Sequence, residues 1–338
     1  MQRPAKPCTP VRFRLQPPFM INLENFISPG INYDPKSVLS LIEDDYHENF
    51  GIQWNRFSKL QLDSFNGSSE SKDRLDNQSK LDPAYFKDKN VLELGAGNGR
   101  FTEILLNYGA NVVAVDFSSA IYANFSNHHA YVINRKLFCI RGDLFNLPLI
   151  QSSFDIVVCY GVIQHTGNNL LALTTLSRYV IPDGKLLVDI YSHSFKHLNP
   201  WIYLIRPFFA LIKNESLKLN IVERFVRFIF PLQLFLLSSL HNQKGLLRFL
   251  RYFINRSPNS VYGINLYLDN KISKENAINW SICDTYDAWS PKHDHPVSLK
   301  RWKNLLSKLT DFKISHVSDC GQGWCATLVK NSAYEKTG

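Results

Sequence analysis

The sequence predicts an α/β fold: a doubly wound, seven-stranded sheet with helices on both faces, an N-terminal cap and a large, mainly helical insertion after strand five. Three observations carry this expectation. An apolar run, Val91 to Leu94, passes into glycines at alternate positions, Gly95, Gly97 and Gly99, and then into the amphipathic segment Phe101 to Tyr108, which stops at Gly109. Strand-like and helix-like stretches then alternate for about a hundred residues. Finally, a helical pattern and two strand patterns recur at 298–331, far downstream of the fifth strand.

The elements follow in order. Residues 1–32 are proline-rich and irregular and read as a tail, and 33–85 read as a helical cap with an aromatic centre, Asn49 to Phe57. The stretch 86–192 carries the core. In it, Val91–Leu94 is the first strand, and the glycines allow a sharp reversal and a close backbone approach. The turn aims backbone N–H groups, at the positive end of the next helix, toward a ligand. Asn111 to Asp116 is the second strand, and its acidic end lies about 20 residues past the first glycine, where a carboxylate accepts from ribose hydroxyls. Phe138 to Arg141 and Phe154 to Tyr160 are the third and fourth strands. Helix Asn168 to Val180 has Leu171, Leu173, Leu176 and Val180 as its expected inner stripe. Pro182-Asp183-Gly184 reads as a turn before a fifth strand, Lys185 to Tyr191. Residues 193–297 form the insertion, and 298–331 complete the sheet with helix Ser298 to Thr310 and strands Phe312 to Val317 and Trp324 to Val329.

The order of the glycines matters. A dinucleotide fingerprint requires Gly-x-Gly-x-x-Gly, but here the sixth position is Arg100. The Gly-x-Gly-x-Gly form with Glu93 two residues earlier resembles motif I of the class I S-adenosylmethionine-dependent methyltransferases, whose sheet is Rossmann-like. Gly142-Asp143-Leu144 resembles that family's adenine loop. A Phe-Gly-x-Gln-Trp stretch at 50–54 and an Asp-x-x-Asp-x-x-x-Pro stretch from Asp284 resemble a bacterial subset of the type 11 kind. The resemblance implies S-adenosyl-L-methionine as cofactor, held by Glu93, Gly95, Ala96, Gly97, Gly99, Asp116, Phe117, Asp143, Leu144 and Tyr160. It places Trp54, Arg56, Gln164, Asp284, Tyr286 and His293 near the acceptor. Family members commonly read Gly-Val-Leu-His-His-Thr where this chain has Gly161-Val162-Ile163-Gln164-His165-Thr166, which leaves one imidazole.

His165 is the candidate general base, since an ordinary imidazole, with a pKa near 6.5, suits proton abstraction at neutral pH. A second role stays open for it, capping the helix that starts near Asn168. Methyl transfer needs mainly in-line positioning and exclusion of water; a base adds to this when the acceptor is a hydroxyl.

Charge and composition narrow the partners. Hydrophobic residues make up 45% of 338, enough for a sizeable core. The net charge is +9, of which 193–262 alone holds +8, ten Lys or Arg against Glu215 and Glu223. One basic, aromatic module, rather than a generally basic surface, argues against nucleic acid, as does the lack of the Pro-Pro-Tyr turn of nucleobase-amine methyltransferases. The expected acceptor is a small molecule, a sugar or a lipid-linked compound, methylated at oxygen. For 193–262 two readings stay open, a helical lid or an amphipathic element on an anionic membrane. A cofactor-binding scaffold without turnover is the alternative function. No signal-like apolar stretch opens the chain and no run of about 18 apolar residues occurs. Six cysteines lack CxxC spacing, with Cys139 and Cys159 in core strands, so a reducing cytoplasm is expected. His293-Asp294-His295 has alternate ligand types on one short stretch with no further cluster, and no metal is expected.

Overall fold

Val112, Val113, Ala114 and Val115 are all at most 1% exposed, so neighbouring side chains on opposite faces of one strand are both buried. That is the signature of a parallel sheet covered on both sides. The computed structural model describes residues 25–42, 48–192, 199–240, 246–291 and 294–332, with the side chains of 48–50 and 246–249 outside the description.

The N-terminal part supplies β1 (Leu39–Ser40), α1 (Glu48–Arg56), α2 (Asp63–Asn66) and α3 (Glu70–Ser79). The core then runs β2 (Asn90–Leu94), α4 (Arg100–Asn107), β3 (Asn111–Asp116), α5 (Ala120–Asn127), α6 (His129–Ile133), β4 (Leu137–Arg141), β5 (Phe154–Cys159), α7 (Asn169–Tyr179) and β6 (Val180–Tyr191). The insertion holds α8 (Pro200–Ala210), α9 (Glu215–Leu240), α10 (Leu246–Ile254), α11 (Tyr262–Leu268) and α12 (Lys274–Trp289). The chain returns to the sheet through α13 (Leu299–Leu306), β7 (Phe312–Asp319) and β8 (Gly323–Lys330).

Among the described residues the sheet has eight strands in the order β1-β4-β3-β2-β5-β6-β8-β7. β8 runs antiparallel to β6 and to β7, and the other pairs are parallel. The expected seven strands are present; the eighth is β1, a two-residue strand that adds to the β4 edge by pairing Leu39 with Ile140. The chain winds outward from β2 through β3 to β4 on one side, then outward through β5 to β6 on the other. The switch point between β2 and β5 is where such sheets open a crevice at their carboxyl ends.

Two apolar layers sandwich the sheet. Leu92, Phe138, Val157, Leu173, Leu176 and Trp302 lie on one face; Val91, Leu105, Val112, Ile121 and Ile156 lie on the other. Two local expectations change. Leu171 is 46% exposed, and Ala172 and Thr175 take the inner positions with Leu173 and Leu176, because α7 turns its Leu171 side outward. Val180 belongs to β6: it pairs with Phe154 across a register irregularity, and Asp183 takes φ +62°. Pro182-Asp183-Gly184 is therefore a bulge within one twelve-residue strand, not a turn before it.

The cap divides by contact. Leu75 of α3 packs into the sheet layer, whereas Trp54, Phe57 and Leu60, from α1 and just after it, share an apolar cluster with Phe230, Leu237, Ile264 and Trp280 of the insertion. A second insertion cluster joins Phe209, Val222, Val226, Ile282 and Tyr286. Among the described residues no helix is long and apolar enough to cross a membrane.

Candidate active site

One cavity of about 1550 Å³ lies over the switch point. It exceeds the roughly 300–1,000 Å³ of an ordinary ligand pocket, so it has room for two ligands side by side. Its floor is the β2–α4 turn, the ends of β3 and β4, and the start of the segment after β5. Its far wall comes from α8, α12 and the chain after α10, with the β7–β8 loop at one side.

The three glycines of the turn serve different ends. A Cβ on Gly97 would meet nothing within 4 Å, so the backbone there is an open cradle in the cavity wall. A Cβ on Gly95 would strike Val162, and one on Gly99 would strike His128 Cε1 at 2.5 Å and Asn124 Oδ1 at 2.6 Å. Gly95 therefore lets the β5 segment approach, and Gly99, the N-cap of α4 at φ +96°, lets α5 approach. Gly99 does not line the cavity.

Asp116 ends β3 at the cavity. Its Oδ2 accepts from Gly97 N at 2.7 Å, and its Oδ1 accepts from Ser118 N at 2.8 Å and Ser118 Oγ at 2.6 Å. Burial raises its pKa and these hydrogen bonds oppose the rise. The carboxylate is aimed and still has an acceptor site to offer. Ala96, Phe117, Asp143, Leu144 and Tyr160 also line the cavity. Asp143 Oδ1 accepts from Phe145 N at 3.0 Å, which fixes the loop after β4. Glu93 does not reach the cavity. It is 3% exposed beneath the turn, accepts from Thr102 Oγ1 at 2.5 Å, and burial raises its pKa to about 8.

At the other end stand His165, Trp54, Asp284 and Asp287. His165 closes the 3₁₀ turn Ile163–His165 after β5, with its ring edge-on to Tyr191 at 5.7 Å between centroids. The cap of α7 is made instead by Asn168, whose side chain accepts from Leu171 N at 3.0 Å. Burial raises the pKa of Asp287, and the nearby His165 ring opposes this by favouring the carboxylate. Asp284 accepts from Ser260 Oγ at 3.2 Å; burial, reinforced by Asp287, pushes it up to about 7. Beneath them, Arg74 Nη2 donates to Asp189 Oδ2 at 2.9 Å, and Asp189 Oδ1 accepts from Gly161 N at 2.5 Å.

Three expected acceptor contacts lie elsewhere. Arg56 is exposed and paired with Glu223, on the outer side of α1. Gln164, in the middle of the 3₁₀ turn, is fully buried and does not line the cavity. Tyr286 is fully buried and donates to Glu215 Oε2 at 2.9 Å. The reason is helical: Asp284 and Tyr286 are two apart on α12, hence on different sides, whereas Asp284 and Asp287, three apart, share the cavity side. His293 lies outside the described residues. Asp287, Asp189, Arg74 and Gln78 were missed by sequence reasoning. The usable signals were the i, i+3 spacing of Asp284 and Asp287 and an acidic residue, Asp189, within the apolar run Leu186 to Tyr191.

The cavity fits a nucleoside cofactor on its own evidence. Several polar atoms of its buried lining residues, Gln53 Oε1, both amide atoms of Gln78, Asn98 Nδ2 and Tyr160 Oη, have no protein partner, and such groups call for a ligand or water. Together with the open cradle at Gly97 and the aimed Asp116, they match a polar ligand lying across the turn.

Comparison with known proteins agrees. Residues 92–188 match the family model described as a methyltransferase domain. The chain is 31% identical over 111 residues to the mitochondrial ubiquinone biosynthesis O-methyltransferase of Schizosaccharomyces pombe, covering 32% of this chain and 40% of that one. It is 28% identical over 147 residues to the ubiquinone biosynthesis O-methyltransferase of Coxiella burnetii, covering 42% of this chain and 62% of that one. The chain thus spans about half the length of these relatives. The solved structure of the mitomycin 7-O-methyltransferase aligns over 77% of this chain and 53% of its own, with 11% identity and a TM-score of 0.40. Residues 92–188, at the centre of this chain, thus carry a methyltransferase domain, in keeping with the class I S-adenosylmethionine-dependent methyltransferases that the glycine turn resembles.

Proposed function

We propose that the protein transfers a methyl group from S-adenosylmethionine to an oxygen of a small acceptor, with His165 as general base and Asp287 as its orienting partner. The observation that carries this reading is the single cavity that joins the glycine turn and Asp116 to His165 and Asp287. The names of the two relatives, both O-methyltransferases, favour oxygen as the acceptor atom.

Asp116, the Gly95–Gly97 backbone, Asp143 and Tyr160 would hold the cofactor, which supplies a methyl group already activated on a sulfonium. The chain's own work is then positioning. Arg74 and Asp189 brace Gly161 and so the loop that carries His165. Trp54 and the α12 carboxylates bound the acceptor end. An imidazole nitrogen of His165 takes the acceptor's hydroxyl proton, and the Asp287 carboxylate stabilises the resulting imidazolium. The cap and insertion close over the crevice and exclude water. Asp284, with its pKa near 7, sits beside this pair and suits a hydrogen bond to an acceptor hydroxyl or amine. A sugar or a lipid-linked compound meets this description.

The test uses the purified full chain with labelled S-adenosylmethionine and fractionated small-molecule and lipid extracts, scored by acceptor-dependent S-adenosylhomocysteine formation. His165→Gln should lower kcat by roughly 10²–10⁴ with unchanged affinity for S-adenosylhomocysteine. Equal kcat in the variant would remove the base assignment. Tight cofactor binding with no acceptor-dependent turnover in any fraction would favour the scaffold reading.

A further inference from the structure

Helix α9 is apolar on two opposite sides. Leu219, Val222, Val226, Phe230 and Leu237 form its inner stripe, each at most 1% exposed and packed against α12 and its neighbours. Leu217, Ile221, Phe228, Leu232 and Phe235 repeat at intervals of three, four and seven along the outer side, with Phe228 86% and Phe235 67% exposed. A helix needs only one apolar stripe to dock on its own protein; a second one requires a second apolar partner. The pattern recurs on α8 and its C-cap, where Trp201, Leu204, Phe208 and the capping Leu211 are spaced three, four and three apart, with Phe208 74% and Leu211 79% exposed. On α10, Leu250 and Phe253 are exposed at the same spacing. Scattered apolar residues are ordinary on a surface; matching stripes on three successive helices are not.

The charge around these stripes selects the partner. The segment 193–262 carries ten Lys or Arg and two Glu. Both glutamates are turned to internal use and take Lys218 and Arg227 with them, and Arg206 pairs with Asp294, so the segment keeps its positive balance. Glu215 accepts from Lys218 Nζ at 2.9 Å and from Tyr286, and Glu223 is paired with Arg56 and Arg227. Arg224 lies within the outer stripe between Ile221 and Phe228, and exposed Lys213 follows Leu211. Tyr203, 50% exposed, adds an amphipathic ring of the kind that settles at a membrane interface. A second copy of the chain on this face would bring like charges together. An anionic lipid surface offers both an apolar interior and the opposite charge.

We propose that the outer faces of α8, α9 and α10 dock the protein on the surface of an anionic bilayer, with their exposed aromatic and aliphatic side chains entering the headgroup boundary. Tyr203, together with Asn199, Ile202 and Arg206 at the start and middle of α8, also lines the catalytic cavity, so the cavity opens beside this surface. An amphiphilic acceptor reaches His165 directly from the bilayer; this corollary rests on the methyl-transfer reading, whereas the docking itself does not.

The experiment is vesicle flotation of the full chain without cofactor or acceptor, on phosphatidylcholine alone and on an equal mixture with phosphatidylglycerol, at low and high salt. The wild type should float with the mixed vesicles, poorly with the neutral ones, and less at high salt. Phe228→Ser with Phe235→Ser should weaken binding by about tenfold or more for each ring removed. Arg224→Glu should weaken it mainly at low salt, where charges are least screened. All three substitutions are at exposed positions, so unfolding midpoints and S-adenosylhomocysteine affinity should match the wild type.

Failure of the wild type to float with anionic vesicles, or equal flotation of the double variant, overturns the proposal. So does a concentration-dependent dimer that the double variant abolishes, because the stripe would then belong to a second copy. S-adenosylhomocysteine binding without flotation counts against docking alone, and flotation without it counts against the methyl-transfer reading alone.

Discussion

Replacing Gly97 and Gly99 by alanine, one at a time, separates ligand contact from internal packing within one turn. At Gly99 the new methyl would lie 2.5 Å from His128 Cε1 and 2.6 Å from Asn124 Oδ1. Neither neighbour can move freely. Asn124 is fully buried, donates to Thr102 Oγ1 at 2.8 Å, and its Oδ1 is 2.9 Å from His128 Nδ1. Overpacking costs about 1–3 kcal/mol, and a non-glycine residue held at φ +96° adds about 1–3 kcal/mol. The expected loss is therefore about 2–6 kcal/mol, a Tm drop of about 3–8 °C for a chain of this length. At Gly97 the backbone, φ +52°, is in the left-handed region that other residues reach at about 1–2 kcal/mol, and the methyl enters open space. The fold should lose little, but the methyl stands where the cofactor would touch the backbone. Crowding of about 1–3 kcal/mol in the complex lowers affinity roughly 5- to 150-fold. Thermal unfolding and calorimetric titration with S-adenosylhomocysteine measure both quantities on the same samples. Wild-type affinity in Gly97→Ala, or lost affinity with unchanged stability in Gly99→Ala, would refute the assignment of roles.

Further outcomes follow from the charges around the cavity. Arg74→Met leaves the Asp189 carboxylate, 2% exposed, without its ion-pair partner and should cost about 3–5 kcal/mol in urea unfolding; adding Asp189→Asn should recover part of it, and additive losses would contradict the coupling. Asp284 has its pKa raised from 3.8 to about 7 in the fold by burial, so between those values the folded state holds more protons than the unfolded one. Its contribution to stability is present below the unfolded value and is lost as pH rises through about 7; Asp284→Asn should flatten the fall in stability seen from about pH 4 to about pH 7. An unchanged slope would show that Asp284 titrates normally.

The legible parts of this chain were those set by local rules. β3 could be bounded to the residue because its four consecutive apolar side chains have no solvent face, and the glycine turn announced itself by spacing. The start of β6 was hidden because Pro182-Asp183-Gly184 has the composition of a turn, while only the pairing of Val180 with Phe154 makes it a strand. The polar stretch from Asp284 was legible as a motif but not as an element. As helix α12 it divides its groups by angle, sending Asp287 to the cavity and Tyr286 to Glu215. Arg74 and Asp189 are 115 residues apart, so no local pattern could join them. Likewise the pairing of Arg56 with Glu223 depends on where α9 packs, which its own apolar pattern, present on both sides, could not decide.

The most direct test of the central claim is calorimetric titration of the wild-type protein and Asp116→Asn with S-adenosylhomocysteine. The amide keeps the shape but weakens charge-assisted hydrogen bonds worth about 1.5–3 kcal/mol, so binding by the wild type that falls roughly 10- to 150-fold in the variant is the predicted result. A folded wild type that fails to bind, or a variant that binds equally well, would contradict the placement of the cofactor at the β2–α4 turn.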